Sequence, residues 1–222
     1  MMLGAFSDLH GSLESLADLL RRAKREGVDL LVCAGDITNA EYAGLAEGQK
    51  QMREISAMIS ASRLEIAYVL GNRDSAGGCL VESPLSGDLG KGDLHREGWR
   101  FTAKAEGLDS GSIYVCHALC QEYKMEQLPA GLVLYGHDHH HRIYKNYIDL
   151  GYIQDGEAGT AGGGFFTIGL EGGGRKVRFH NLGGMVRSRC RIHRDQGEFY
   201  VPSSWGEQCP MCRNDAKYRL HF

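Results

Sequence analysis

The sequence predicts an α/β protein in which β-sheets are sandwiched by helices and followed by a small cysteine-bearing tail. Three observations carry that expectation. Apolar, β-branched runs alternate with segments of helical periodicity up to residue 70, and strands alone follow. Aspartates, histidines and an asparagine stand where those runs end. Near the end of the chain, Cys190-x-x-His193 and Cys209-x-x-Cys212 enclose fifteen residues.

In chain order, residues 2–7 read as a strand turning at Asp8. Ser12 or a neighbour caps a helix with Leu13, Leu16, Ala17, Leu19 and Leu20 at helical spacing, and Glu26-Gly27 stops it. Residues 28–34 form a buried strand ending at Gly35-Asp36. A helix covers 43–61 with Met52, Ile55, Met58 and Ile59 on one side, and a strand over 64–70 ends at Gly71-Asn72. Residues 74–95, rich in Gly, Ser and Asp, read as a long loop covering the site. Strands over 100–104, 112–116 and 131–135 come next, the last two ending at His117 and Gly136-His137. Residues 143–153, 165–170 and 176–180 are antiparallel finishing strands, punctuated by Gly162-Gly163-Gly164 and Gly172-Gly173-Gly174.

At 222 residues and 42% apolar content, the chain suits one large domain over 1–185 and a small tail over 186–222. No run reaches the roughly 18 apolar residues of a spanning helix. Residues 1–6 lead straight into the first motif, so a cytoplasmic protein without signal peptide or membrane partner is expected. Seven cysteines are an odd number, and Cys33, Cys79, Cys116 and Cys120 show no pairing pattern, which favours reduced thiols. The net charge of −3 hides an asymmetry: 15 Lys and Arg against 24 Asp and Glu over residues 1–171, but 10 against 4 over 172–222. A basic tail suits an anionic partner, although a basic surface is also a common solvated face.

Phosphodiesters resist attack because their oxygens are already negative. Two cations about 3.5–4 Å apart neutralise that charge and generate hydroxide near neutral pH. Such a pair needs a bridging carboxylate, terminal carboxylates and imidazoles. Asp8 with His10, and His137 with His139, are spaced to face one ion each; Asp36 is the natural bridge, Asn72 supplies a neutral oxygen, and His117 completes the set. Any one of these alone has a plainer reading, a helix cap for Asp8 or Asp36 and a satisfied core histidine for His117. The ordered set, each at a strand end, favours metal binding. His140 and His141 read as surface extensions of the histidine run.

Asp8-x-His10, Gly35-Asp36, Gly71-Asn72-x-Asp74, His117 and Gly136-His137-x-His139 resemble the calcineurin-like metallophosphoesterase family, in its small prokaryotic-type phosphodiesterase branch, over roughly residues 1–182. The resemblance implies a four-layer sandwich of two mixed β-sheets flanked by helices. It implies one metal on Asp8, His10, Asp36 and His139, a second on Asp36, Asn72, His117 and His137, and a bridging hydroxide attacking phosphorus in line. Manganese, or iron, zinc or nickel, suits such ligands. Two positions depart from the family pattern. Arg73 stands where a histidine is common; it cannot serve as a proton donor, yet it can hold a phosphate oxygen bidentately, or else pair with Asp74 or another acid. Asn39 stands where a second aspartate is common and reads as loop support.

Cys190, His193, Cys209 and Cys212 have the spacing of a closed structural zinc site resembling a small zinc ribbon, with Phe199, Tyr200, Val201 and Trp205 as a hairpin and minor core. Such a ribbon acts either as a staple or as a nucleic-acid contact. The contact would use Arg187, Arg189, Arg191, Arg194, Arg213, Lys217 and Arg219, with Tyr200 or Trp205 stacking on bases. The chain is therefore expected to be a binuclear phosphodiesterase of a nucleotide or nucleic-acid-like substrate. Asp36, Asn72, Arg73 and His117 would carry catalysis, Arg73 would bind substrate, and Asp138 would orient its neighbours. A phosphomonoesterase of small metabolites and a catalytically weak nucleic-acid- or protein-binding module remain the alternatives.

Overall fold

The computed structural model describes residues 1–120, 127–155, 160–161, 163–171, 174–206 and 208–213; Lys217, Arg219 and parts of both glycine runs lie outside them. Its elements run β1 (Met2–Phe6), α1 (Leu13–Arg25), β2 (Leu30–Ala34), α2 (Ala40–Ala43), α3 (Leu45–Ser62), β3 (Glu65–Val69), β4 (Ser75–Ala76), β5 (Cys79–Leu80), β6 (Leu94–Arg96) and β7 (Trp99–Thr102). They continue with β8 (Ser112–Val115), β9 (Leu132–Tyr135), β10 (His141–Tyr144), β11 (Tyr147–Leu150), β12 (Gln154–Asp155) and β13 (Thr160–Ala161). The last are β14 (Gly163–Glu171), β15 (Gly174–Gly183), β16 (Met185–Arg187) and β17 (Glu198–Pro202).

Two mixed sheets result, in the orders β15-β14-β1-β2-β3 and β16-β17-β10-β11-β9-β8-β7-β6. The pleat decides what each strand buries. In β1 and β2, Phe6, Leu31 and Cys33 face the helices, where Leu16 and Leu19 of α1 meet Met52, Ile55 and Ile59 of α3. Leu3, Ala5, Leu30 and Val32 face the second sheet and meet Phe101, Ile113, Val115, Leu132 and Leu134. Each fully buried Leu, Ile or Phe here contributes roughly 1.5–3 kcal/mol. The far face of the second sheet buries Tyr114, Val133 and Tyr135 under Leu119 and Leu128. Ser12 caps α1 as expected, its hydroxyl accepting from Ser15 N at 3.3 Å.

Residues 74–95 are not a loose cover. Val81 N donates to Asp74 O at 2.8 Å, Gln49 of α3 binds Glu82 through its amide, and Tyr68 of β3 exchanges backbone bonds with Gly87 and Leu89. The segment therefore runs along the edge of β3, where unpaired strand groups supply its partners. The tail strands β16 and β17 extend the second sheet next to β10.

Candidate metal centre

Asp8 follows β1, Asp36 follows β2, Asn72 follows β3, His117 follows β8 and His137 follows β9, so five strand ends deliver side chains to one place. The chain must turn sharply to do so. Asp8, His10, Asp36, His137 and His139 all have positive φ, between 49° and 72°. Side chains with a Cβ pay of order 1 kcal/mol or more for that conformation, and it persists only where surroundings hold it. Here the first two loops are zipped together: Asp8 N, His10 N and Gly11 N donate to Gly35 O, Asp36 O and Ile37 O at 3.1, 3.0 and 2.9 Å.

The donor atoms converge in two overlapping groups, Asp8 with His10 and His139, and Asp8 with Asp36 and His117. His139 Nε2 lies 3.1 Å from Asp8 Oδ1, and His117 Nε2 lies 3.3 Å from Asp36 Oδ1. Asn72 Oδ1 sits 3.0 Å from His117 Nε2 and 3.1 Å from His137 Nδ1. Asp8, His10, Asp36 and His117 are buried, while Asn72 and His137 form the exposed rim.

Proton placement makes this arrangement unusual. His117 Nδ1 lies 2.8 Å from Ala34 O, a pure acceptor, so that nitrogen carries the hydrogen and Nε2 presents a lone pair. Asn72 Nδ2 donates to Glu41 Oε2 at 3.3 Å, which turns Oδ1 inward. The lone pairs of Asn72 Oδ1 and His117 Nε2 thus face each other, and a cation between them, or a hydrogen on His137 Nδ1, 3.2 Å from His117 Nε2, reconciles them. In the metal-free chain that cation is a proton: burial works against charging His117, but the hydrogen bond and charge of Asp36, with Asp8, raise its pKa to about 9. Burial lowers the pKa of His10 and of His137, keeping both neutral. Both nitrogens of buried His10 lack a hydrogen-bond partner among the described residues. These donors fit divalent metal ions.

Several further groups hold these donors in place. Asp74 is fully buried and accepts from Ile37 N (3.1 Å), Thr38 N (2.7 Å), Thr38 Oγ1 (2.9 Å) and Gly71 N (2.9 Å), clamping the Asp36 loop to the Asn72 loop. Ser7 Oγ donates to Asp8 Oδ2 at 2.6 Å, and His137 N donates to the same oxygen at 3.1 Å. Two glycines are required by close approach. A Cβ on Gly71 would stand 2.1 Å from Asp36 Oδ1, and one on Gly136 would stand 1.9 Å from Ser7 Oγ. Ser7, next to Asp8, and Glu41, 31 residues from Asn72, belong to no motif, and the sequence shows no sign of these contacts.

The sequence model of the calcineurin-like phosphoesterase superfamily domain matches residues 1–169. The chain belongs to that family. Among solved structures, this phosphoesterase is similar to a dimetal phosphatase from Danio rerio (TM-score 0.61, 13% identity, 82% of this chain and 98% of that one). It is also similar to an archaeal phosphodiesterase (TM-score 0.53, 16% identity, 81% and 100%) and to a purple acid phosphatase from yellow lupin seeds (TM-score 0.51, 13% identity, 81% and 51%). At these identities the likeness is one of fold. No curated protein matches.

Around the phosphoesterase centre, Arg73 is 8% exposed, and its Nε lies 3.8 Å from Asp36 Oδ2, not on Asp74. Its guanidinium stacks 4.3 Å from the ring centre of Tyr42. Asn39 anchors its loop through its backbone N–H to Gln51 Oε1 (2.9 Å), and half-buried Asp138 stands beside His137. The surface reading of His140 and His141 is wrong, since they are 5% and 1% exposed. β10 begins at His141 and turns that ring inward, 5.0 Å from Phe179, where burial lowers its pKa to about 3.

In the tail, His193 Nδ1 lies 3.7, 3.4 and 3.4 Å from the sulfurs of Cys190, Cys209 and Cys212, and Cys190 Sγ lies 3.4 Å from Cys212 Sγ. A tetrahedral zinc with bonds of about 2.0–2.3 Å has edges of about 3.3–3.8 Å, which these separations match. The Tyr200 ring lies 4.2 Å from that of Phe179 in a stacked pair, which covers one of its faces. Arg187 is paired with Glu198 at 2.8 Å, whereas Arg189, Arg191 and Arg194 are exposed. Among the described residues, no helix is long and apolar enough to cross a membrane.

Proposed function

We propose that this phosphoesterase is a two-metal phosphodiesterase acting on a nucleotide or nucleic-acid-like substrate. The observation that carries the reading is the convergence of metal-ligating side chains from Asp8, Asp36, Asn72, His117, His137 and His139, described above. Asp8 with His10 and His139 forms one donor group and Asp8 with Asp36 and His117 the other, so Asp8 is common to both; Asp36, in the Gly35-Asp36 motif, would serve as the bridging carboxylate. When bound, two divalent ions such as Mn²⁺ neutralise phosphate charge and make water acidic enough to act as nucleophile.

The chain's own residues do the rest. Asn72 and His137 sit at the exposed rim, so substrate enters there. Arg73, always charged, is within reach of the same centre as Asp36 and supplies a bidentate clamp for a phosphate oxygen. It has no proton to give, so diesters with good leaving groups are favoured. Exposed Arg189, Arg191 and Arg194 favour a polyanionic substrate extending past the centre. The Cys/His cluster is assigned to one closed zinc site.

Hydrolysis of bis(p-nitrophenyl) phosphate by metal-stripped protein, with Mn²⁺ restored, tests the reading. Activity should require Mn²⁺ and should fall about a thousandfold or more in Asp36→Asn, the several kcal/mol supplied by metal-assisted charge neutralisation. A preference for p-nitrophenyl phosphate over the diester would sink the diesterase reading. Deleting 186–222 would strip β17 from β10, so the nucleic-acid arm uses charge removal instead. Arg189→Gln with Arg191→Gln and Arg194→Gln should slow oligonucleotide cleavage at least fivefold and leave the chromogenic diester unchanged.

A further inference from the structure

The family match ends at residue 169, so the Cys/His cluster lies beyond it. Its strands are nonetheless continuous with the metal centre. On one side β17 pairs with β16. On the other it pairs with β10, with His141 opposite Tyr200, Arg142 opposite Phe199 and Ile143 opposite Glu198. β10 begins two residues after His139. Arg142 Nε donates to Gln196 O at 2.8 Å, in the segment between the two ligand pairs, and its guanidinium lies 5.3 Å from the ring centre of Phe199.

A second connection runs through Tyr152. Its buried hydroxyl donates to Met185 Sδ of β16 at 3.7 Å. Its ring lies 5.7 Å from that of His139 and 5.2 Å from that of His141, and its carbonyl lies 3.0 Å from His141 Nε2. The imidazole of His139 therefore rests on a tyrosine held by the tail hairpin from one side and by β10 from the other. Among the described residues, the tail buries Phe199, Val201 and Cys209 in a cluster of its own, with Cys190, Trp205, Met211 and Cys212 partly buried around them. So small a described core offsets little of the entropy of ordering the segment, and a cross-link among the four ligands would supply the rest.

We infer that Cys190, His193, Cys209 and Cys212 close around one zinc ion that fixes the β16–β17 hairpin and, through β10 and Tyr152, positions His139 in the metal centre. The site is a brace that touches neither substrate nor the Asp/His donors. Its consequence for catalysis rests on the phosphodiesterase reading; its consequence for the His137–His139 loop does not.

The test measures zinc content of the full chain, hydrogen exchange and Mn²⁺ affinity by electron paramagnetic resonance, in wild type, Cys209→Ser and Cys190→Ser/Cys212→Ser. Wild type should carry one zinc beyond the ions of the Asp/His centre. Losing it should speed exchange over residues 137–144 at least tenfold, leave α1 unchanged and weaken Mn²⁺ binding about tenfold. Tyr152→Phe, with zinc intact, should move the loop and Mn²⁺ affinity in the same direction by a smaller factor. If the cysteine variants unfold globally, exposing α1 as well, Tyr152→Phe alone decides. The inference is overturned if no zinc copurifies, if zinc loss leaves 137–144 and Mn²⁺ affinity unchanged, or if Tyr152→Phe matches wild type. An inactive wild type whose loop still loosens on zinc loss would overturn the diesterase reading and support the brace.

Discussion

At the Asp/His centre the donors stand on loops that five strands hold from beneath, whereas at the Cys/His cluster they stand on the segments that follow β16 and β17, the outermost strands of one sheet. The first set is preformed by backbone. Asp8, His10, Asp36, His137 and His139 keep left-handed φ because two packed cores and a zip of loop hydrogen bonds leave them nowhere else to go. The second set has three buried residues beneath it, and its geometry depends on whatever joins four soft ligands. An open, substrate-accepting site must be rigid before its ions arrive; a closed one can be made rigid by its ion.

Asp74 is where that contrast breaks most readily. Its carboxylate satisfies three backbone N–H groups and the Thr38 hydroxyl. Burial pushes its pKa up, and those hydrogen bonds pull against the shift. Asp74→Ala leaves three buried donors and the half-buried Gly71 N–H without acceptors, at about 1–3 kcal/mol each where water cannot replace them. The expected outcome is a loss of at least about 3 kcal/mol in denaturant-monitored stability, at the upper end of single-residue effects, together with loss of Mn²⁺ binding at the centre and unchanged zinc content in the tail. If stability held and the metal centre stayed intact, the two loops would be held by something other than Asp74.

The strand ends were legible because buried strands write themselves as short apolar runs. The runs before Asp8, Asp36, Asn72 and His137 are β1, β2, β3 and β9 within two residues of expectation. The motif glycines are legible for the same reason: Gly35, Gly71 and Gly136 each stand where a Cβ would collide with a neighbouring loop's side chain. The clamps did not follow. Asp74 was visible as a motif letter without its partners, and Glu41 lies 31 residues from Asn72 on the four-residue helix α2, whose periodicity is too short to read. His140 and His141 failed for a related reason. A run of histidines looks solvated in one dimension, and only the docking of β10 between β11 and β17 shows that they face inward. That docking is a non-local edge pairing, which no local pattern encodes. The tail hairpin itself was expected from Phe199, Tyr200 and Val201, while its seat on the second sheet was not.

Proton linkage separates the two clusters by a smaller amount. His117 has a folded pKa of about 9 against an ordinary 6.5, so in metal-free protein its charge contributes stability that is fully present below pH 6.5 and lost as pH rises through 9. A metal ion on Nε2 must displace that proton. Between those pH values, metal binding at the centre should release close to one proton, and its apparent affinity should fall about tenfold per unit of acidification. Calorimetry in buffers of differing ionisation enthalpy reads the proton directly. In the tail the competing protons are on sulfur. Burial opposes ionisation of Cys190, but hydrogen bonds from His193, Cys212 and Cys209 pull its pKa down, while burial and neighbouring sulfurs push Cys209 up. Zinc binding there should release protons at every pH up to the alkaline range. His117→Gln should abolish proton release at the centre alone, and equal release from the variant and the wild type would place the titrating group elsewhere.

Both regions also contain an arginine stacked on an aromatic ring, and here the smallest effect is the most discriminating. Arg73 lies 4.3 Å from the ring centre of Tyr42, which is 64% exposed, and Arg213 lies 4.8 Å from that of Trp205. An exposed cation–π pair contributes about 0.5–1 kcal/mol, or roughly two- to fivefold in an equilibrium constant. At Arg73 that energy holds a guanidinium beside Asp36, where the proposed phosphate clamp needs it; at Arg213 it holds one tail side chain against another. Tyr42→Leu should therefore raise KM two- to fivefold with little change in kcat, Tyr42→Phe should restore it, and the effect should vanish in an Arg73→Ala background. Arg213→Ala should leave KM unchanged while lowering the temperature at which the tail melts. A Tyr42→Leu penalty that persisted without Arg73 would mean the ring contacts substrate itself, and the aromatic partner would then be a binding surface rather than a rest for the arginine.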